Sequence, residues 1–300
     1  MHKENRQIFS IGKDLQNGYS SHNELCKLAS TLLNTQSSQI TIDFTSVSFI
    51  ASNLFSVLGC IFSEFKNKDP ESISLLIRGF RPSLIDTVLK NGFCEHLGMQ
   101  RIPDVHNTVI PYKKFKVDEI DEYERYLTLN LFLKKHLPPM SDAARNTVRD
   151  SLLELFKNVY DHTTSRYVYT CGQYFPKSYT LFFTIVDIGE SIPYNVIKFH
   201  SQRNLPFPDS SIDWAITQGN STVLDSPRGI GLAIIKDFVS INKGSLYIVS
   251  DGETFEFVNG KMRCKKLDYP FPGTIVTIGF NLRSDAKYYL ASEENNFIQF

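Results

Sequence analysis

The chain has 300 residues, enough for two domains of ordinary size that each bury a core. Lys and Arg total 32 and so do Asp and Glu, with 42% hydrophobic and 21% charged residues. This is a globular composition without the basic excess that nucleic acid or an anionic membrane surface selects.

Cys26, Cys60, Cys94, Cys171 and Cys264 stand far apart with no CxxC pair. That spacing argues against a zinc site or a disulfide framework and fits reduced thiols in the cytosol. The opening MHKENRQIFSIGKDL has no apolar signal core, and no stretch approaches the roughly 20 apolar residues of a membrane span. The expectation is a soluble, cytoplasmic protein.

In chain order, QITIDF (Gln39 to Phe44) alternates like a strand, and SVSFIASNLFSVLGCIFSEF (Ser46 to Phe65) reads as a loop entering an apolar helix. SISLLIRGF (Ser72 to Phe80) is a second strand, followed by a helix in PSLIDTVLKNGF that Pro82 can open. A short returning strand near Asn107 to Tyr112 completes an α/β layer, so the first domain is expected over 1–116. VDEIDEYERYLTLNLFLKKHL then predicts a helical linker over 117–140, acidic at its start and basic at its end as the helix dipole favours.

Pro138 and Pro139 stop that helix, and Ser141 and Asp142 can cap a long one from about Ala143 to Tyr160, opening a second domain over 141–300. YVYTCGQYF and SYTLFFTIVD, parted by Pro176 and Lys177, read as a β-hairpin whose second strand ends on Asp187. The Pro, Ser, Asn and Gly of Phe199 to Pro227 suit a mobile lid around the helix-like DSSIDWAIT. SPRGIGLAIIKDFVSIN is a glycine turn entering a helix, and GSLYIVSD, ETFEFV and GTIVTIGF read as three closing strands.

The stretch SLLELFKNVYDHT (Ser151 to Thr163) specifies two helix faces. Leu152, Leu155, Phe156 and Val159 make a core stripe, while Glu154, Asn158, Asp161 and His162 recur at the same steps beside it. Three further features follow in order: D-x-G at a strand end (Asp187, Gly189), R-G-x-G-L before a helix (Arg228, Gly229, Gly231, Leu232), and G-T opening a strand (Gly273, Thr274).

Over about Asp142 to Leu282 this order resembles the GHKL superfamily of ATPases and kinases, and within it the anti-sigma-factor serine kinases. The resemblance implies a two-layer α/β sandwich of the Bergerat type that binds ATP and Mg²⁺. The chemistry of each box agrees. Asn158 offers a hard oxygen for Mg²⁺, an ion that keeps waters and nucleotide phosphates as its other ligands. Glu154, one turn earlier, is the candidate catalytic base toward a water or hydroxyl, or else a solvated glutamate.

Asp187 suits the exocyclic amine of adenine, with Gly189 letting the backbone pass beneath the ring; the local alternative is a turn carboxylate capping Ser191 and its neighbours. Ser191 stands where the family usually has a second glycine. Gly229, Gly231 and the helix beginning near Leu232 would meet phosphate, with Arg228 either a phosphate contact or an exposed lid residue. His162 would organise the phosphate region or cap the helix end, and Thr274 resembles the threonine that supports adenine.

Ile40 to Gly98 resembles the STAS domain of anti-sigma-factor antagonists. The family's phosphoacceptor loop falls on Ala51, Ser52, Asn53 and Leu54, with Asn53 where phosphate is usually accepted. The first domain is therefore expected to sense or dock, with Ser52 as the fallback acceptor. Three readings stay open: a serine kinase acting on a separate STAS-type protein partner, an ATPase or ATP-gated switch in a stress or defence system, and a non-catalytic nucleotide-binding scaffold. A homodimer is open in each.

Overall fold

The computed structural model describes residues 6–71, 73–134, 137–222, 231–283, 286–293 and 298–299. It is a mixed α/β structure with a parallel sheet and an antiparallel sheet. In the parallel sheet β2 (Gln39–Asp43) lies between β1 (Arg6–Ser10) and β3 (Ser74–Arg78). Parallel neighbours need crossovers, supplied here by α1 (Tyr19–Asn34) and α2 (Phe55–Asn67). Pro82 opens α3 (Pro82–Asn91), and Gly92, at φ 83, ends it in the left-handed conformation that glycine adopts freely.

The antiparallel sheet has the order β4-β5-β6-β8-β7. Its strands are β4 (Val109–Lys116), β5 (Tyr167–Phe175), β6 (Thr180–Ile188), β7 (Ser245–Val258) and β8 (Lys261–Asn281). Three sequence expectations change here. The strand expected to return into the first layer pairs with β5 instead, so the chain leaves that layer before Val109. ETFEFV is the far half of β7, continuous with GSLYIVSD through irregularities at Ser250 to Glu253. Those irregularities break the period-2 pattern on which a single long strand is recognised.

The third change concerns the linker. Its residues form α4 (Ile120–Leu127) and a π-helical turn at Thr128–Phe132, and they belong to the core of the second half. Tyr123 stacks on Phe156 of α5 (Asp142–His162) with ring centroids 4.4 Å apart. Ser141 caps α5, its Oγ accepting from the Ala144 N–H at 3.1 Å. Such a cap contributes about 1 kcal/mol.

Leu152, Leu155, Phe156 and Val159 fasten α5 to one face of the antiparallel sheet, together with α4, α8 (Gly231–Ile241) and Phe183 and Ile185 of β6. A two-layer sandwich leaves the other face to solvent. In this chain it is covered: Tyr169, Val186, Val249, Phe271 and Ile275 share one apolar cluster with α1, α2 and the parallel sheet. The antiparallel sheet therefore lies between the helices of the second half on one face and the first half on the other. A second grip lies where β7 and β8 extend beyond the sheet, with Asp268 N–H donating to the Asn23 carboxamide at 3.0 Å and Asn23 donating back to the Asp268 carboxylate at 2.7 Å. No helix among the described residues is long and apolar enough to cross a membrane.

Candidate functional site

A solvent-open cleft of about 140 Å³ lies between the antiparallel sheet and the helices on its α5 side. Its floor is Ile185 and Asp187 of β6 with Thr274 and Val276 of β8. Leu155, Asn158 and Val159 of α5 make one wall, and Ile192, Asn195 and Val196 of α6 (Ile192–Gln202) make another. Trp214 of α7 (Ser211–Ala215), residues 220–222 and Leu232 of α8 close the remaining side.

Asp187 lies at the end of β6 directly opposite Thr274 and is 3% exposed. Among the described residues its Oδ2 has no hydrogen-bond partner, and burial pushes its carboxyl up to about 8. A buried polar group left unpaired costs about 1–3 kcal/mol, so this atom is expensive to the empty protein. The capping role that local reasoning allowed is filled by others. Ser191 caps α6 with its own Oγ, and the Ile192 N–H donates to Ser250 Oγ at 2.9 Å.

Ser250 fixes its neighbour's polarity. Its single proton goes to the Gly273 carbonyl at 3.0 Å, so in the 2.8 Å contact with Thr274 the threonine hydroxyl donates. Thr274 Oγ1 is then left with lone pairs only. At neutral pH the raised Asp187 carboxyl holds its proton in the unliganded fold; a ligand that brings N–H or O–H donors favours the ionised form, in which the floor offers acceptors.

The glycines are explained within the chain. A Cβ on Gly273 would strike the Asp187 carbonyl, and one on Gly189 would stand 2.9 Å from both Thr163 Cβ and Ser165 N. The close approach expected of Gly189 toward a ligand is thus made to the loop after α5. Gly231 opens α8 and would meet Glu154 Oε2 at 2.9 Å if it carried a Cβ. Glu154 stands at the first turn of α8 and is not among the residues lining the cleft.

Asn158, Asp187, Leu232 and Thr274 therefore share one cleft, while Glu154 and Gly231 meet beside it. Arg228, Gly229 and the His162 side chain lie outside the described residues. The segment expected as a lid contains the end of α6 and α7. Within it Trp214 is held edge-on to His200, centroids 5.1 Å apart, and Glu253 of β7 accepts from the Ser211 and Ile212 N–H groups at the start of α7. Sequence reasoning missed Trp214, Asn195 and Ser250. The signal for Trp214 was available, since it is the chain's only tryptophan and sits in a Ser/Asn/Gly-rich segment.

Among the described residues no group of three or more His, Cys, Asp or Glu side chains could hold a metal ion. The single hard oxygen of Asn158 suits an ion that draws its remaining ligands from water and phosphate. Ser52 and Asn53, placed by resemblance at a phosphoacceptor loop, are fully buried against the opposite face of the sheet. Comparison with protein-family models and with curated proteins returned no match.

Proposed function

We propose that the second half of the chain binds Mg²⁺–ATP in the cleft between α5, α6 and the antiparallel sheet, in the manner of a GHKL-type regulatory protein. The observation that carries this reading is the unpaired Asp187 carboxylate oxygen, buried on the cleft floor opposite Thr274. An adenine exocyclic amine supplies the missing donor. The cleft volume of about 140 Å³ is below the roughly 300–1,000 Å³ of a complete small-molecule site and is of the order of a planar base.

When bound, the magnesium nucleotide supplies a transferable phosphoryl group. Asp187 and Thr274 orient the base, Ile185, Val196 and Val276 exclude water from its faces, and Asn158 offers an oxygen to the metal. Glu154 is the chain's candidate base for a hydroxyl or water, in a kinase acting on a protein Ser/Thr or in an ATPase. The burial of Ser52 and Asn53 favours an acceptor on a separate protein, of STAS or another type. A binding-only switch is the second reading, favoured by Glu154 standing against α8 instead of lining the cleft.

Titration calorimetry with ATP and GTP, with and without Mg²⁺, tests the proposal. Expected is saturable, magnesium-enhanced heat with ATP and little with GTP; folded protein giving no heat with either refutes it. Incubation with γ-labelled ATP and STAS-type proteins then separates the readings: label transfer marks the kinase, free phosphate the ATPase, and neither the switch.

A further inference from the structure

A second cavity lies at the junction of the two halves, remote from the Asp187 cleft in its residues and elements. It encloses about 680 Å³, within the size range of small-molecule sites, and junctions between folded units are where such sites concentrate. One side is Gly92, Glu95 and Arg101 of the first half; the other is Pro111 to Lys114 of β4 with Glu122, Arg125 and Leu129 of α4 and its π-helical turn.

Four cations and two carboxylates line it, and their commitments differ. Lys113 and Glu122 answer each other across 3.6 Å. Lys114 turns its ammonium to Ser63 Oγ at 2.8 Å and over the Tyr167 ring at 3.6 Å. Among the described residues Arg101 donates through its Nε, to the Lys90 carbonyl at 3.0 Å, with no partner for its terminal nitrogens. Arg125 has no side-chain partner among the described residues, and neither arginine is in ion-pair contact with Glu95.

Two planar guanidinium forks line one cavity with neither ion-paired to a carboxylate among the described residues, and such forks match the bidentate geometry of phosphate oxygens. The π-helical turn beside them places Leu129, 53% exposed, on the same wall, and such turns recur at functional sites.

We infer that this junction cavity is a second binding site, for a phosphorylated small molecule held by Arg101 of the first half and Arg125 of the second. A ligand gripped from both sides ties the halves together and stabilises the whole chain by mass action. The inference does not depend on the reading of the Asp187 cleft.

Inorganic pyrophosphate is the probe, titrated calorimetrically into the full-length protein at low and at high salt. Expected is binding by the wild-type chain that falls at least tenfold in the Arg101→Gln/Arg125→Gln double variant, with partial retention in Arg101→Lys/Arg125→Lys. Arg125→Gln alone, at an exposed position whose side chain has no partner among the described residues, is expected to weaken binding at least threefold and guards against a folding defect in the double variant. Circular dichroism and response to ATP should be the same in all variants. No pyrophosphate binding by the wild type, or binding that the arginine variants leave unchanged, overturns the inference.

Discussion

The two faces of β6 carry polar groups three residues apart that are treated in opposite ways. Thr184 faces the first half, where Asn53 donates its amide to Thr184 Oγ1 at 2.8 Å and to Asn17 Oδ1 at 2.8 Å, and Thr184 meets Thr277 at 2.7 Å. Every member with a side chain in that chain between Asn53 and Thr277 is fully buried, and every one is partnered. Asp187 faces α5 with a carboxylate oxygen that is buried and unpaired. Buried polar groups are ordinarily satisfied, so the satisfied face reads as structure and the unsatisfied one as a place kept for a ligand. The same strand thus forms a satisfied seam on one side and, in the proposed reading, a binding floor on the other.

The comparison breaks if the two faces fail to separate stability from binding. Asn53→Ala removes the buried hydrogen bond to Thr184 and both half-buried ones with Asn17, leaving the Asn17 carbonyl without this donor, which should cost roughly 3 kcal/mol in urea unfolding while ATP affinity per folded molecule stays the same. Asp187→Asn should do the reverse. An amide in place of the carboxylate presents a donor to the adenine amine, and ATP binding by calorimetry should weaken about 100-fold, roughly 2.7 kcal/mol, with no loss of folded stability. If Asn53→Ala abolishes binding at unchanged stability, the seam is part of the site.

pH sharpens the same contrast. Burial raises the Asp187 carboxyl from 3.8 to about 8, so between those values the folded chain holds a proton that the unfolded chain has lost, and stability falls as pH rises. Burial lowers His22, whose ring nitrogens have no partner, from 6.5 to about 4, so the unfolded chain holds the extra proton there and stability rises with pH. Each contributes about 1.4 kcal/mol per pH unit with opposite sign. They offset between pH 4 and 6.5, and from 6.5 to 8 Asp187 acts alone, for a loss of about 2 kcal/mol by urea unfolding. Asp187→Asn should be flat across that upper window and more stable than the wild type at pH 8.

What the sequence made legible follows from which signals are local. The two faces of α5, the break at Pro176 and Lys177, and a carboxylate ending an apolar strand are all written in short stretches, and β5, β6 and α5 lie where those stretches place them. Pairing partners are not local. Nothing in VIPYKKFK says that β4 joins β5 and not the parallel sheet, because alternation states that a strand has two faces and not which neighbour it takes. Helix α1 was legible and overlooked: Leu25, Leu28, Ala29 and Leu32 make a three- and four-step stripe that is fully buried. Ser250 was not legible, since a serine inside a strand carries no sign that it will orient the threonine opposite.

The smallest expected effect concerns Ser191, where the GHKL pattern has glycine. Its Oγ accepts from the Tyr194 N–H at 3.1 Å, so the residue that departs from the pattern starts α6, one wall of the cleft. Glycine is nearly as good as serine at a helix N-cap, whereas alanine neither accepts the hydrogen bond nor exposes the backbone to water. Ser191→Ala should therefore cost about 1 kcal/mol in urea unfolding and Ser191→Gly only a few tenths. Because the Ser191 backbone sits extended at φ −81, no left-handed conformation calls for glycine there. ATP affinity should be equal in both variants if the residue only caps the wall. A Ser191→Gly chain that binds ATP more tightly than Ser191→Ala at matched stability would instead place this turn in contact with the nucleotide, and move the binding floor one residue turn beyond Asp187.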